Sequence, residues 1–182
     1  MTLEELKEKL INNSDVIWEG GGWREDLLKL AGIVPGFEPD SISEIESTSS
    51  SFNIAWPKGF TRSKQNKYIT GNFEVGYNQR TWLWLRAYDD CGTGWYWREA
   101  GEVDTPDTKA TRYFCMALHT LLENEYKDLA RHARVGTYQG YGAVQVNCDI
   151  SFDHTQASRV LGFLYRLSET LQKMSKTSVV EI

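Results

Sequence analysis

Long apolar runs are missing from this sequence of 182 residues, whose uninterrupted apolar stretches are only a few residues long. A helix that spans a bilayer needs about 20 mostly apolar residues in a row. We therefore expect no membrane-spanning segment and no membrane partner. The opening residues, MTLEELKEKL, are acidic and amphipathic, unlike a secretory signal or an Arg-rich transit peptide. This pattern predicts a cytoplasmic location.

Cysteine and histidine are scarce, with three of each in the chain. Cys91, Cys115 and Cys148 form no CxxC pair. An odd number of cysteines without a secretory signal indicates free thiols in a reducing compartment. The histidines are too widely spaced for a zinc site. We expect neither a metal nor another cofactor.

The chain has fewer basic than acidic residues, 20 against 25, and its net charge is −5. Residues 1–50 hold eleven acids against four bases, whereas residues 51–182 hold fourteen acids and sixteen bases. Neutralisation of phosphates supplies most of the generic affinity for nucleic acids. The balance therefore favours a protein or small-molecule ligand over nucleic acid. It does not indicate an oligomeric state.

Alternation of apolar and polar residues is the strongest structural signal that the chain does contain. A period of two residues is typical of half-buried strands, and short connections between strands predict an antiparallel meander. The predicted strands are 68–78, 79–88, 95–101 and 144–152, with a further edge strand at 52–56. Residues 35–51 contain two prolines and no clear period, so they are predicted to form a loop.

Four helices are predicted from capping signals and leucine stripes. Thr2 and Glu5 form a capping-box pattern at the start of a short helix that reaches about residue 12. A second short helix is predicted over 24–31. Two long amphipathic helices are predicted over 106–134 and from about 156 to 174.

These elements predict an α+β fold. We expect a single two-layer domain over 1–182, with a mostly antiparallel sheet of about four to five strands. Two long helices would cover one face, with short helices at the N-terminus. An acidic helical and loop segment would span 1–51, the sheet-and-helix core 52–174, and a loose tail 175–182.

An aromatic and arginine-rich sheet face is the first candidate site. If Leu83 and Leu85 point into the core, the alternate residues of their strand point outward. Tryptophans between arginines are suited to stack on planar rings or sugars. Alternatively, the tryptophans are core, or the N-terminal segment with its own tryptophans covers them. The predicted binding residues are Arg80, Trp82, Trp84, Arg86, Tyr88, Asn72, Glu74, Asn147 and Asp149.

Two weaker candidates lie elsewhere in the chain. Glu125, Asp128 and His132 continue the stripe of the first long helix, where a carboxylate would orient the histidine as a general base. Solvent exposure of an overhanging helix end explains the same pattern. The second is a basic loop that would contact an anion, or would simply be solvated. Its residues are Lys58, Arg62, Lys64 and Lys67.

The predicted order of helix, meander, helix and strand is similar to the core of restriction-endonuclease-like nucleases. Such a core needs an acid-x-Lys motif on a strand to hold a metal and position water. The strand acids Glu74 and Glu99 are followed two residues later by Gly76 and Gly101, not by lysine. The order is also similar to that of small bacterial chaperone and adaptor domains, a resemblance of architecture alone.

These observations favour a non-enzymatic binding or adaptor domain that holds a ligand, peptide or protein partner on its aromatic sheet face. The alternative is an enzyme that processes a nucleotide or nucleic acid, indicated by the basic loop and the Glu125, Asp128 and His132 stripe. Enzymatic activity is left open by the sequence.

Overall fold

The computed structural model describes residues 2–12, 22–41, 49–57, 68–76, 78–90, 106–140 and 143–178. The strands within these ranges are β1 (Phe37–Ser41), β2 (Ser49–Ala55), β3 (Tyr68–Val75), β4 (Thr81–Asp90), β5 (Ala133–Gly140) and β6 (Ala143–Phe152). The helices are α1 (Leu3–Ile11), α2 (Trp23–Ala31), α3 (Pro106–Thr120), α4 (Lys127–Ala130) and α5 (Ala157–Ser178). A π-helical turn (Leu121–Glu125) follows α3, and a 3-10 turn (His154–Gln156) precedes α5.

The strands form one open antiparallel sheet in the order β1-β2-β3-β4-β6-β5. Strands β1 to β4 are a meander, and α3 then leads to the β5–β6 hairpin, whose β6 pairs with β4. The predicted mixed α+β, mostly antiparallel domain is therefore confirmed.

The apolar face of the sheet and the helices share one hydrophobic core. Leu83, Leu85 and Ala87 of β4 are fully buried, as are Cys148 and Ile150 of β6. Helix α3 contacts β4 and β6, and α5 packs against α1, α2 and α3 in the same core. The predicted stripe of α5 is buried throughout. Its members are Ala157, Val160, Leu161, Leu164, Leu167 and Leu171. Burial of these side chains drives the two layers together.

Aromatic rings cross the core from one strand to the next. Phe52 stacks on Phe37 and contacts Phe73, with ring centroids 5.2 Å apart in each case. Phe73 in turn meets the edge of Phe152 at 6.2 Å. Gly71 makes room for this row, because a Cβ there would lie 2.3 Å from the Phe52 ring. The glycine in mid-strand is thus explained by the ring packed against it.

The first long helix ends earlier than predicted. Regular α3 stops at Thr120, and after the π-helical turn Tyr126 leaves the helical region at φ −126° and ψ 44°. The Tyr126 ring is fully buried and meets Phe163 edge-on at 5.6 Å. Packing of this ring interrupts a segment whose local propensity is helical. Residues 133–134, predicted as helix, instead begin strand β5.

Further differences concern the sheet edges and the C-terminus. The predicted loop 35–51 contains β1 and the start of β2, so the strand predicted at 52–56 is internal rather than an edge. With β5 the sheet reaches six strands, not four to five. Helix α5 continues to Ser178, beyond the predicted start of the loose tail at 175. The strand predicted at 95–101 lies outside the described residues.

Candidate functional site

Strand β4 places its two tryptophans on the sheet face opposite the core. Leu83 and Leu85 are fully buried, whereas Trp82 and Trp84 are partly exposed. Because side chains alternate along a strand, the tryptophans point away from the helices. Trp23, one of the N-terminal tryptophans considered as a cover, packs instead against Phe152 at 6.1 Å. Trp18 lies outside the described residues.

The residues that alternate with the core positions on the other strands lie beside these tryptophans. We call this surface the open face. Trp84 pairs in register with Asn72 on β3 and with Asp149 on β6, and Arg86 pairs with Thr70 and Asn147. The open face consists of Ser51, Asn53, Thr70, Asn72, Glu74, Trp82, Trp84, Arg86, Arg134, Gln145, Asn147 and Asp149.

The two tryptophan rings stack on each other. Their centroids are 5.4 Å apart and their planes differ by 21°. Trp82 also lies against Gly76, where an added Cβ would come within 2.7 Å of the indole Nε1. Such a stack is worth about 0.5–1.5 kcal/mol beyond the area that it buries. The pair is therefore a fixed aromatic surface rather than two independent side chains.

A depression of about 470 Å³ lies beside Trp84, the one member of the pair that borders it. Trp84 and Arg86 border it on β4, Asn72 and Glu74 on β3, and Asn53 on β2. Ligand sites commonly enclose about 300–1,000 Å³ and combine apolar surface with a few polar groups. The depression has the size and the mixed chemistry of such a site.

The N–H group of the Trp84 indole lacks a hydrogen-bond partner among the described residues. Its Nε1 atom is buried. Leaving a buried donor without a partner costs about 1–3 kcal/mol. An unsatisfied donor at the border of a depression is a feature that folding stability alone does not explain.

Charges on the open face are balanced but not paired. Arg86 and Arg134 lie near Asp149, yet in the described part of the chain neither forms an ion pair with it. Desolvation raises the pKa of the Asp149 carboxyl, and the two guanidinium groups only partly offset this effect. Among the described residues, Asp149 is thus a partly buried carboxylate without a close hydrogen-bonding cation.

Arg80, also predicted as a binding residue, has a different environment. Its guanidinium donates to Ser151 Oγ at 2.6 Å, to the Ser151 carbonyl at 3.1 Å and to Gln156 Oε1 at 3.3 Å. It also lies 3.7 Å from an Asp153 carboxylate oxygen. These contacts tie the start of β4 to the end of β6, which leaves little donor capacity for a ligand.

The remaining predicted face residue, Tyr88, pairs in register with Gln145. Its side chain is not among those that the structure describes. Sequence reasoning missed Ser51 and Arg134 because they were predicted as loop and helix. It also missed Asn53, which lay in the strand predicted at 52–56 but was not assigned to a sheet face. The alternation of Phe52 and Ile54 with polar neighbours was the signal that could have extended β2.

The predicted catalytic carboxylates are both held by arginines of α5. Glu125 accepts two hydrogen bonds from Arg166, each 3.0 Å long. Asp128 accepts two from Arg159, at 2.8 and 3.1 Å. These hydrogen bonds lower the pKa of both carboxyl groups. The two carboxylates therefore join the π-helical turn and α4 to α5.

His132 is exposed and, in the ranges described, shows no side-chain bond to either carboxylate. A histidine that acts as a general base needs a partner that orients its ring, and neither of the two predicted carboxylates does so here. A catalytic role of Glu125, Asp128 and His132 stays a prediction. The basic loop of Lys58, Arg62, Lys64 and Lys67 lies outside the described residues.

Neither a metal-binding cluster nor a membrane-spanning helix is present among the described residues. They contain no cluster of three or more side chains suited to hold a metal ion. None of the described helices has the length and apolarity needed to cross a bilayer. Cys148 is buried in the core, and desolvation raises the pKa of its thiol well above the usual range. It has the environment of an inert, structural cysteine.

Comparison with known protein families, with curated proteins and with solved structures finds no match to this chain. Its function has to be argued from its own residues.

Proposed function

We propose that this protein is a non-enzymatic binding domain that holds its ligand on the open face, in the depression beside Trp84 and Arg86. One observation carries the proposal. A stacked pair of partly exposed tryptophans lies on the face opposite the core, and one of the two, Trp84, borders a depression of about 470 Å³. A protein or small-molecule partner and a cytoplasmic location belong to the same proposal.

The position of the tryptophans supports binding because their stacking on each other stabilises the fold by only about 0.5–1.5 kcal/mol. Large aromatic side chains are normally highly buried, and exposed apolar patches commonly mark interaction sites. Here the rings stand on a central strand, paired on both sides in a six-stranded sheet. A rigid strand holds recognition groups more accurately than a loop does.

The alternative, a nucleotide- or nucleic-acid-processing enzyme, has less support from the geometry. Two of its three proposed catalytic residues, Glu125 and Asp128, are engaged by Arg166 and Arg159. Exposed His132 is the part of the hypothesis that a mutation can test directly. If the protein is an enzyme of this kind, His132→Ala should abolish turnover while folding is intact.

The binding proposal is tested by screening the intact chain against a mixed panel of oligosaccharides, mononucleotides and short peptides with saturation-transfer NMR. We expect at least one class to bind. We also expect Trp84→Ala and Arg86→Ala each to weaken that binding about tenfold or more, as truncation of central contact residues does.

Matched controls lie on the helices. Met116 is an exposed apolar residue of α3, and Lys127 is an exposed cation of α4. Met116→Ala and Lys127→Ala should leave binding unchanged. Binding that is equally strong in the Trp84 and Arg86 variants, or a panel without any ligand, would contradict the proposal.

A further inference from the structure

We propose that the ligand of the open face is an uncharged oligosaccharide, with one sugar ring lying against the Trp84 indole and its hydroxyls bonded to Asn72 and Asp149. This inference rests on the proposed binding function and adds the chemical class of the ligand. Three independent features of the open face support it.

The aromatic surface is the first feature. The face of an indole carries a negative electrostatic potential, which attracts the polarised C–H bonds of a sugar ring as well as cations. Trp82 and Trp84 are nearly parallel, with an interplanar angle of 21°. Because the stack fixes both rings, little side-chain entropy is lost when a flat sugar face lies against them.

The hydrogen-bonding groups are the second feature. The residues beside Trp84 are an amide, Asn72, on β3 and a carboxylate, Asp149, on β6. Arg86, the next open-face residue along β4, offers only donors, whereas Asp149, when ionised, offers only acceptors. A ligand that satisfies both must donate and accept at neighbouring positions. A hydroxyl group does both, and a sugar ring carries several of them at close spacing.

The balance of charge is the third feature. Arg86 and Arg134 are offset on the described open face by Glu74 and Asp149. An anionic ligand drawn to Arg86 would meet Glu74 in the same depression. Asp149 does not border the depression, but it pairs with Trp84 from β6, and an anionic ligand that lies over Trp84 would approach its carboxylate. Desolvation already raises the pKa of that carboxyl group. A second negative charge would add repulsion, whereas a hydroxyl that donates to Asp149 would stabilise its ionised form.

The size of the depression agrees with a ligand of this class. Its volume of about 470 Å³ is spread across β2, β3 and β4 rather than enclosed by the helices. An extended oligosaccharide can place one ring against Trp84 and another over Asn53 and Thr70, which border the same depression.

The experiment compares matched neutral and charged probes on the intact protein by saturation-transfer NMR and calorimetry. The neutral probes are trisaccharides of glucose, N-acetylglucosamine, xylose and mannose. The charged probes are trigalacturonate and adenosine monophosphate, and a tripeptide completes the set. We expect one or more neutral trisaccharides to bind, with the strongest saturation transfer to the protons of one sugar face.

Variants and salt sharpen the test. Trp84→Ala should weaken trisaccharide binding about tenfold or more, and Trp84→Phe should weaken it less, since an aromatic surface remains. Asp149→Asn should also weaken binding, because the charge-assisted hydrogen bond is lost. Raising the salt concentration from about 50 mM to about 500 mM should change the affinity of a neutral ligand less than about twofold.

Two results would overturn the inference in distinguishable ways. If only the anionic probes or the tripeptide bind, and Trp84→Ala abolishes that binding, the ligand class is wrong while the binding function stands. If no probe binds, or if trisaccharides bind equally to Trp84→Ala, both the ligand class and the proposed site are wrong.

Discussion

The two faces of this sheet are built from the same strands but follow different rules. On the helix side Leu83, Leu85 and Ala87 are fully buried, and glycine is used to admit a phenylalanine ring. On the open face the alternate residues of β4 are two tryptophans and an arginine, flanked by amides and carboxylates. Burial alone explains the residues of the helix side, whereas the residues of the open face need a further explanation.

The difference teaches where stability and function can be separated in this chain. The buried face contributes apolar area removed from water, at roughly 25 cal/mol per Å². The open face instead includes an unsatisfied indole N–H and a carboxylate whose pKa is raised by desolvation. Groups that cost stability where they stand are candidates for function.

The largest expected effect compares neighbouring residues of β4 that point to opposite faces. Leu85→Ala should lower the free energy of unfolding by about 2–5 kcal/mol, because it leaves a cavity in a fully packed core. Trp84→Ala should lower the free energy of unfolding by only about 1 kcal/mol, mainly because the stacking on Trp82 is lost. Urea unfolding of both variants measures the difference. Equal losses would mean that Trp84 belongs to the core.

Two glycines provide a second comparison of the faces. A Cβ at Gly71 would lie 2.3 Å from the Phe52 ring, whereas one at Gly136 on β5 would meet nothing within 4 Å. Gly71→Ala should therefore destabilise by about 1–3 kcal/mol through overpacking. Gly136→Ala should change stability by less than about 0.5 kcal/mol. The prediction fails if thermal or urea unfolding ranks the two variants in the opposite order.

Acid pH should weaken the ion pairs that join the π-helical turn and α4 to α5. Hydrogen bonds from Arg166 and Arg159 lower the pKa of Glu125 and Asp128 below their ordinary values of 4.5 and 3.8. Their stabilising effect is complete above these values and is lost as the pH falls through the lowered pKa values of the folded state. Because the pairs are partly exposed, we expect a loss of about 1 kcal/mol or less for each.

Urea midpoints measured from pH 6 down to pH 2.5 test this expectation. Glu125→Gln should lower stability at pH 6 and flatten the dependence on pH. Exposed Glu123, also in the π-helical turn, supplies the control variant Glu123→Gln. An acid profile that Glu125→Gln leaves unchanged would contradict the assigned role.

The smallest expected effect has the opposite sign. Desolvation raises the pKa of Asp149, so its ionised form costs stability at every pH above the raised value. This cost disappears as the pH falls through the raised pKa. Asp149→Asn should therefore stabilise the protein at pH 7 by about 0.5 kcal/mol or less. A clear loss of stability in this variant would show that Asp149 serves folding rather than binding.

The sequence was most informative where a pattern matched a single burial requirement. Alternation in β3, β4 and β6 predicted the strands, and the leucine stripe of α5 predicted a helix with one face buried in the core. The same alternation assigned Trp82, Trp84 and Asp149 to one face. The sequence of β4 alone could not show which face of the sheet was open, since tryptophan is found both in cores and on binding surfaces.

Elements governed by tertiary packing were not predictable from local pattern. The helix that was expected to reach residue 134 is interrupted because the Tyr126 ring packs on Phe163, with the Arg159 guanidinium 4.5 Å from its centroid. Strands β1 and β5 lie at the edges of the sheet, where only one neighbour constrains their residues. Arg134 could join the candidate site only once β5 had replaced the predicted helix end.

The most direct test of the account is the solvent accessibility of the open-face tryptophans, measured one residue at a time. Labelling with 5-fluorotryptophan and assignment by Trp→Phe variants would give a separate fluorine resonance for Trp82, Trp84 and buried Trp56. With a neutral gadolinium chelate in solution, we predict strong relaxation enhancement at Trp84 and Trp82 and little at Trp56. Protection of Trp84 as complete as that of Trp56 would contradict an open binding face.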